Sequence, residues 1–421
     1  MSDIVFLVES IDRYGQPYTL SDRLKSLSPE WIEHYNSEIL KTYINCIGKK
    51  ITFQAYHAVE NFDPNKKYYY FICLDHFNFD FPVFFQMLGK SKLKRLHDNN
   101  IPLLFAHDLE TIPHLEYTAF VKQLEWLFLM RGVYSGVENE IIVLNAGEIV
   151  PRQAAFIKQW FYNKFKFIQS PLLLKYSANE LCEIYPAEDE LERLNGLEKE
   201  RQFTCLNRTP RFHRSTLIHG LKSQNLDGEG FISNGHLTQY NTHSITSETA
   251  YATAVKNQIV QNNGSLPVMT LDEYTFTDNR PKSLPAFPEQ LWKTYYDIVS
   301  ETGVVYFYPD PLDLSLITEK TVKSILMMRP FMINGGPYSL KSLKRFGFKT
   351  YDFLFDENHD DVENLIDRQE IIVQNVRNYV NKYSELSVKI NAHRDVVRFN
   401  RHRLLNVDYE QLLANELMSV S

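Results

Sequence analysis

Short apolar runs that each stop at a polar residue recur through the first half of this chain, and they restrict its fold more than any other feature. Ile4 to Val8, Tyr68 to Leu74, Ile101 to Ala106, Ile141 to Leu144 and Phe165 to Ile168 have the length of strands and are too short for ordinary helices. Helical spacing of apolar residues fills intervals between them, at Trp31 to Tyr43, His114 to Gly132 and Arg152 to Phe161. Strands alternating with helices imply an α/β unit with a parallel sheet.

Glu188 to Gln202 is dominated by polar and charged residues, and a domain boundary is expected there. A chain of 421 residues is long enough for two domains with substantial cores. The second half resumes with a strand at Phe203 to Leu206, a helix at His213 to Lys222 and a strand at Gly230 to Ser233. Asn234 to Pro288 is polar and turn-rich, with a helix expected at Ala250 to Ile259. Beyond it come an apolar strand at Val304 to Tyr308, a helix from Glu319, a strand running into Gly335 and Gly336, and a helix from Ser339 to Phe346 that ends at Gly347. Phe348 to Phe355 is read as extended, and Leu365 to Tyr383 and residues 385 to 418 as helical.

A net charge of −7 and a pI of about 6.0 give no support to a protein that coats nucleic acid through a bulk positive field, which leaves room only for a local basic groove. Local basic clusters at Lys49 and Lys50, at Lys90, Lys92, Lys94 and Arg95, and in the four arginines from Arg394 to Arg403 are expected to be solvated faces. Cys46, Cys73, Cys182 and Cys205 are too far apart for metal-ligand spacing and read as reduced, buried thiols. No apolar run approaches the length that crosses a bilayer, so a soluble, cytoplasmic protein without membrane insertion is expected. Asp356 to Asp361 crowds oxygen ligands together but lacks a calcium-loop pattern, and no metal is assigned.

Thr318 suits the cap of a helix whose first turn carries Glu319 and Lys320, with Lys323 on the same face as Lys320. Unpaired amides at such a helix start favour anionic groups, and two lysines beside them suit the phosphates of one ligand. The same residues equally suit a plain capped helix with Glu319 paired to Lys323. Arg208, Arg211 and Arg214, spaced three apart with His213 beside the last, follow one strand and open the next helix, where guanidinium groups can grip phosphate. Asn334 to Gly336 allows close approach of backbone to a ligand, or turns the chain. Asp75 and His76 follow one strand of the first half, and His107, Asp108 and Glu110 follow another. Asp75, Glu110 and His107 are the candidate general bases, with capping as their structural alternative.

The ordered series Phe203 to Arg214, Val299 to Thr302, Ile317 to Lys323, Arg329 to Phe331, Gly335-Gly336 and Leu343 to Thr350 resembles a group of glycosyltransferase-like proteins of phages and large viruses. The Thr318 to Lys320 helix start, followed by an apolar strand and glycine, is similar to the donor-nucleotide domain of fucosyltransferase-type enzymes with the two-domain GT-B fold. This resemblance covers roughly residues 200 to 365; earlier residues share only the α/β rhythm. It implies two Rossmann-like α/β domains facing a cleft, with C-terminal helices: an acceptor-binding domain over 1–195, a nucleotide-sugar domain over 196–365 and a helical segment over 366–421. By the same resemblance Glu319 contacts ribose, while Lys320 and an arginine of the 208 to 214 segment hold the diphosphate. The implied partner is a nucleotide sugar used as co-substrate, with no separate cofactor and with a glycan, protein, small molecule or modified DNA base as acceptor. The competing expectation is a non-catalytic viral structural or nucleic-acid-associated protein that keeps the fold.

Overall fold

The computed structural model describes residues 4–8, 10–11, 17–18, 51–73, 90–107, 141–145, 165–182, 185–207, 212–234, 289–301, 304–306, 311–313 and 316–419. The chain divides into two compact units, one formed by Met1–Tyr176 with Asp408–Ser421 and the other by Ser177–Val407. The helices expected at 31–43, 114–132, 152–161 and 250–259 lie outside the described residues.

The first unit contains β1 (Ile4–Val8), the short antiparallel pair β2 (Ser10–Ile11) and β3 (Pro17–Tyr18), β4 (Ile51–Ala55), β5 (Lys67–Cys73), α1 (Lys90–Asp98), β6 (Leu103–His107), β7 (Ile141–Asn145) and β8 (Phe165–Gln169). Six of these strands form one parallel sheet in the order β4-β1-β5-β6-β7-β8. All five strands expected in the first half appear in it within two residues of their predicted bounds, and β8 extends to Gln169. Strand β4 has no counterpart among those expectations; its Thr52 is exposed and its apolar run is short. Strand β1 is buried on both faces from Ile4 to Leu7, which accounts for its unbroken apolar sequence. On one face Ile4, Phe6, Tyr69, Leu104, Ile142 and Ile168 pack against Leu413 and Leu417 of the C-terminal helix (Tyr409–Ser419). That helix is pinned by Glu410, whose carboxylate accepts from the Ile51 amide at 2.7 Å, and by the Tyr69 hydroxyl, which donates to the Leu417 carbonyl at 2.9 Å.

Helix α2 (Leu172–Cys182) crosses the division between the units and is followed by α3 (Glu188–Asn195). The second unit builds a four-stranded parallel sheet, β10-β9-β11-β14, from β9 (Arg201–Asn207), β10 (Gly230–Asn234), β11 (Thr294–Ser300) and β14 (Phe331–Asn334). Its helices are α4 (Phe212–Ser223), α5 (Glu289–Trp292), α6 (Glu319–Leu326), α7 (Ser339–Arg345), α8 (Leu365–Asn378), α9 (Tyr383–Ala392) and α10 (Arg394–Asn406). The ring of Phe203 lies over the start of β10, where it would collide with any Cβ at Gly230. In both sheets the first strand is interior, the second lies on one side of it and the third on the other. The strand order therefore reverses between β1 and β5 and between β9 and β11, and ligands of such sheets bind at the carboxyl ends beside the reversal.

Three readings of the second unit are corrected. The sheet strand is Thr294–Ser300, whereas Val304–Tyr306 (β12) pairs antiparallel with Pro311–Asp313 (β13) in a separate ribbon. Asp297 interrupts the apolar run of β11 and hides it as a strand signal. Residues 348–355 form coil and turn, because the Glu357 carboxylate takes the Tyr351 amide at 2.7 Å and folds the segment back. Two arginines of α10 are packing groups and not a solvated face: Arg401 donates to the carbonyls of Leu326 and Pro186 and Arg403 to that of Phe346, whereas Arg398 is exposed, as expected, and pairs with Glu192. Gly347 is glycine for two reasons, a φ of +82° and the Arg403 guanidinium that any Cβ there would strike. Among the described residues no helix is long and apolar enough to cross a membrane.

Candidate functional site

The strands of the second sheet end in Asn234, Asn207, Ser300 and Asn334, so a polar row replaces the apolar core at its carboxyl edge. Asn234 is in register with Asn207, and Ser300 with Asn334. The pairing of β9 with β11 runs only from Thr294↔Arg201 to Asp297↔Thr204, so the reversal lies beside strand ends that no ladder joins. The first turn of α4 packs beside those ends. His213 lies 2.9 Å through Nε2 from the Glu301 carbonyl, which makes Nε2 the protonated nitrogen, and Arg214 donates to the carbonyls of Ser300 and Glu301 at 3.4 and 3.3 Å. Asn334 Nδ2 donates to the His213 carbonyl at 3.2 Å, and the Gln369 amide of α8 donates to that same carbonyl and to Asn334.

Glu301 organises the rest. Its carboxylate is buried and accepts from the Thr318 amide at 3.0 Å, from the Thr321 hydroxyl at 2.6 Å and from the Thr318 hydroxyl. Thr318 caps α6 in turn, accepting from the Lys320 amide at 3.4 Å. An internal carboxylate thus supplies much of the negative charge that the start of α6 attracts. Gly335 serves this arrangement too, since a Cβ there would stand 3.2 Å from the Cβ of Glu301.

Outside that buried cap stand Glu319 and Lys320. The side chains of Glu319 and Lys320 are 48% and 28% exposed and pair at 2.8 Å; Lys320 also donates to the Thr318 hydroxyl at 3.3 Å. Desolvation would raise the Glu319 carboxyl, but the charge and hydrogen bond of Lys320, with Lys323 behind, outweigh it and hold the group below its ordinary value. Burial pushes the Lys323 amine down, against the pull of Glu319. A half-exposed pair of this kind is worth about 0–1 kcal/mol, so a ligand can take either partner at small cost.

Thr318, Glu319, Lys320, Lys323 and Arg214 therefore lie on elements that meet at one sheet edge, joined through Glu301. Arg214 is buried and braces the end of β11. Asp75, Glu110, Arg208 and Arg211 lie outside the described residues, and His107 is the last residue of β6. Sequence reasoning missed Glu301, Asn207 and Gln369. For Glu301 the sequence signal was confined to the two threonines three apart at the next helix start, Thr318 and Thr321, because the strand before it is hidden. Three of the four acids of 356–361 have structural partners: Asp356 caps the Asn358 amide, Glu357 takes Thr350 and Lys344, and Asp360 takes the amides of Leu340 and Lys341 at 2.8 and 2.9 Å. Among the described residues no group of His, Cys, Asp or Glu is disposed to hold a metal. Burial pushes the Cys205 thiol up to about 11, which makes it a poor nucleophile. No protein-family model, curated protein or solved structure matches this chain.

Proposed function

We propose that this protein is a glycosyltransferase of the GT-B class that moves a sugar from a nucleotide-sugar donor to a hydroxyl acceptor. The observation that carries the reading is the meeting of the Glu319–Lys320 pair with Arg214 and Glu301 at the carboxyl edge of a parallel sheet, beside its order reversal. The resemblance of residues 203–350 to glycosyltransferase-like proteins gives that edge its ligand. Glu319 accepts from the ribose hydroxyls, and Lys320 and Lys323 meet the diphosphate together with Arg208 and Arg211. Thr318 and Arg214 hold the helix start and strand end in position.

The acceptor oxygen forms a bond to the anomeric carbon as the bond from that carbon to the diphosphate oxygen breaks. In an inverting reaction one of Asp75, Glu110 and His107 takes the acceptor proton. Charge growing on the departing nucleoside diphosphate is stabilised by Lys320 and Arg208. Arg401 and Arg403 of α10 are spent on carbonyls and Arg398 pairs with Glu192, which weakens one basis for a nucleic-acid-associated reading. A panel of nucleotide sugars, assayed for binding and slow hydrolysis with wild type, Glu319→Ala and Lys320→Ala, tests the proposal. Turnover of one donor that falls in both variants is expected; wild type that neither binds nor hydrolyses any donor contradicts it.

A further inference from the structure

We propose that the carboxyl edge of strands β6 to β8 holds a site for a neutral, hydroxyl-rich ligand centred on Gln169. Gln169 is the last residue of β8 and only 4% exposed, yet neither its amide oxygen nor its amide nitrogen has a hydrogen-bond partner among the described residues. A buried carboxamide with both ends unmet is rare, because folding strips its water and returns nothing. Its neighbour Ile168 belongs to the core beneath the C-terminal helix, so strand alternation sets Gln169 on the opposite face of the sheet. Register places His107 beside Asn145 and Asn145 beside Gln169, each the final residue of its strand. Helix α2 then begins at Leu172.

The chemistry of the row selects its ligand. A carboxamide offers one acceptor and two donors, so an anion would leave Oε1 unmet and a cation would leave Nε2 unmet. A hydroxyl group donates and accepts and can satisfy both ends. Along the row the residue types are His, Asn and Gln, with no acid, lysine or arginine among them. Residue types that can both donate and accept, at three adjacent register positions, match the chemistry of a ligand rich in hydroxyls. Burial shields such hydrogen bonds from water and strengthens them. For its role as the acceptor side of sugar transfer the inference rests on the proposed function; binding itself is measured separately.

The test uses the full chain, a panel of glucose, galactose, mannose and N-acetylglucosamine, and glucuronate as the anionic control, read by saturation-transfer NMR and by melting temperature. At least one neutral sugar is expected to bind wild type and Lys320→Ala alike, to bind Gln169→Met about tenfold or more weakly, and to exceed glucuronate. Ligand-free Gln169→Met should melt above wild type, because methionine fills the same space without an unmet amide. Failure of every neutral sugar to bind wild type overturns the proposal. So does unchanged binding by Gln169→Met, equal loss in Lys320→Ala, glucuronate binding at least as well, or a melting temperature of Gln169→Met at or below wild type. Loss of nucleotide binding alone would sink the donor-site reading and leave this site standing.

Discussion

Strand β11 positions two buried carboxylates, Asp297 within it and Glu301 just beyond its end, and they are satisfied by different chemistry. Asp297 meets a cation: Arg329 Nε donates to it at 2.9 Å, and the hydroxyls of Thr204 and Ser324 complete its shell at 2.6 and 2.8 Å. Arg329 is in turn held by Thr294, through its carbonyl at 3.1 Å and its hydroxyl at 2.6 Å. Glu301 meets a backbone amide and two hydroxyls at the start of α6. The first arrangement closes on itself inside the sheet layer. The second fixes a helix whose next two residues, Glu319 and Lys320, remain accessible. One acid therefore ties the fold together, and the other sets the position of groups that can meet a ligand.

Removing a partner should separate the two. Arg329→Met leaves Asp297 buried without its cation and is expected to cost about 3–5 kcal/mol in urea unfolding, the largest effect here. A loss under about 1 kcal/mol would mean that Asp297 does not depend on Arg329 as its counter-charge. Glu301→Gln keeps the shape but weakens three hydrogen bonds to a charged acceptor, for an expected loss of about 1.5–3 kcal/mol together with weaker nucleotide binding. Normal nucleotide binding in that variant would detach Glu301 from the site. Gly335→Ala crowds Glu301 and should cost about 1–2 kcal/mol, again with weaker binding.

The amino end of the sheet offers a pH test that the carboxyl edge should not share. Lys199 donates to the Trp292 carbonyl at 2.7 Å, and burial, with Arg329 and Arg394 adding, pushes its amine down to about 7 from an ordinary 10.5. The folded chain then binds fewer protons than the unfolded chain between those values. This contribution is complete above about pH 10.5 and is lost as pH falls through about 7. Comparing urea midpoints at about pH 6 and about pH 9, Lys199→Met should flatten the rise seen in wild type. An equal slope in both proteins would place that titration elsewhere. Lys320→Ala should change stability least, within about 0.5 kcal/mol, since its partner Glu319 is half-exposed.

Much of this architecture is legible in the chain because apolar runs and caps are local signals. Strands β1, β5, β6, β7 and β9, the Thr318 cap and the stop at Gly347 can all be read from a few neighbouring residues. Strand β11 was hidden by an acid whose counter-charge, Arg329, lies far along the chain, while the more apolar Val304–Tyr306 mimicked it. Arg401 and Arg403 resemble a surface in the sequence because their acceptors are carbonyls at the ends of other helices and segments. The Glu319–Lys320 pair shows how far local spacing goes: a bond between Glu319 and Lys323 was a natural reading, and the salt bridge forms with the adjacent lysine.

Calorimetric titration of uridine and guanosine diphosphates into wild type and Lys320→Ala tests the central claim most directly, because that lysine lies outside the buried cap and can be removed without unfolding the site. The account predicts measurable binding of one nucleotide to wild type and about a tenfold or greater loss in the variant at unchanged melting temperature. Equal affinity in the two proteins, or no binding to either, would contradict it.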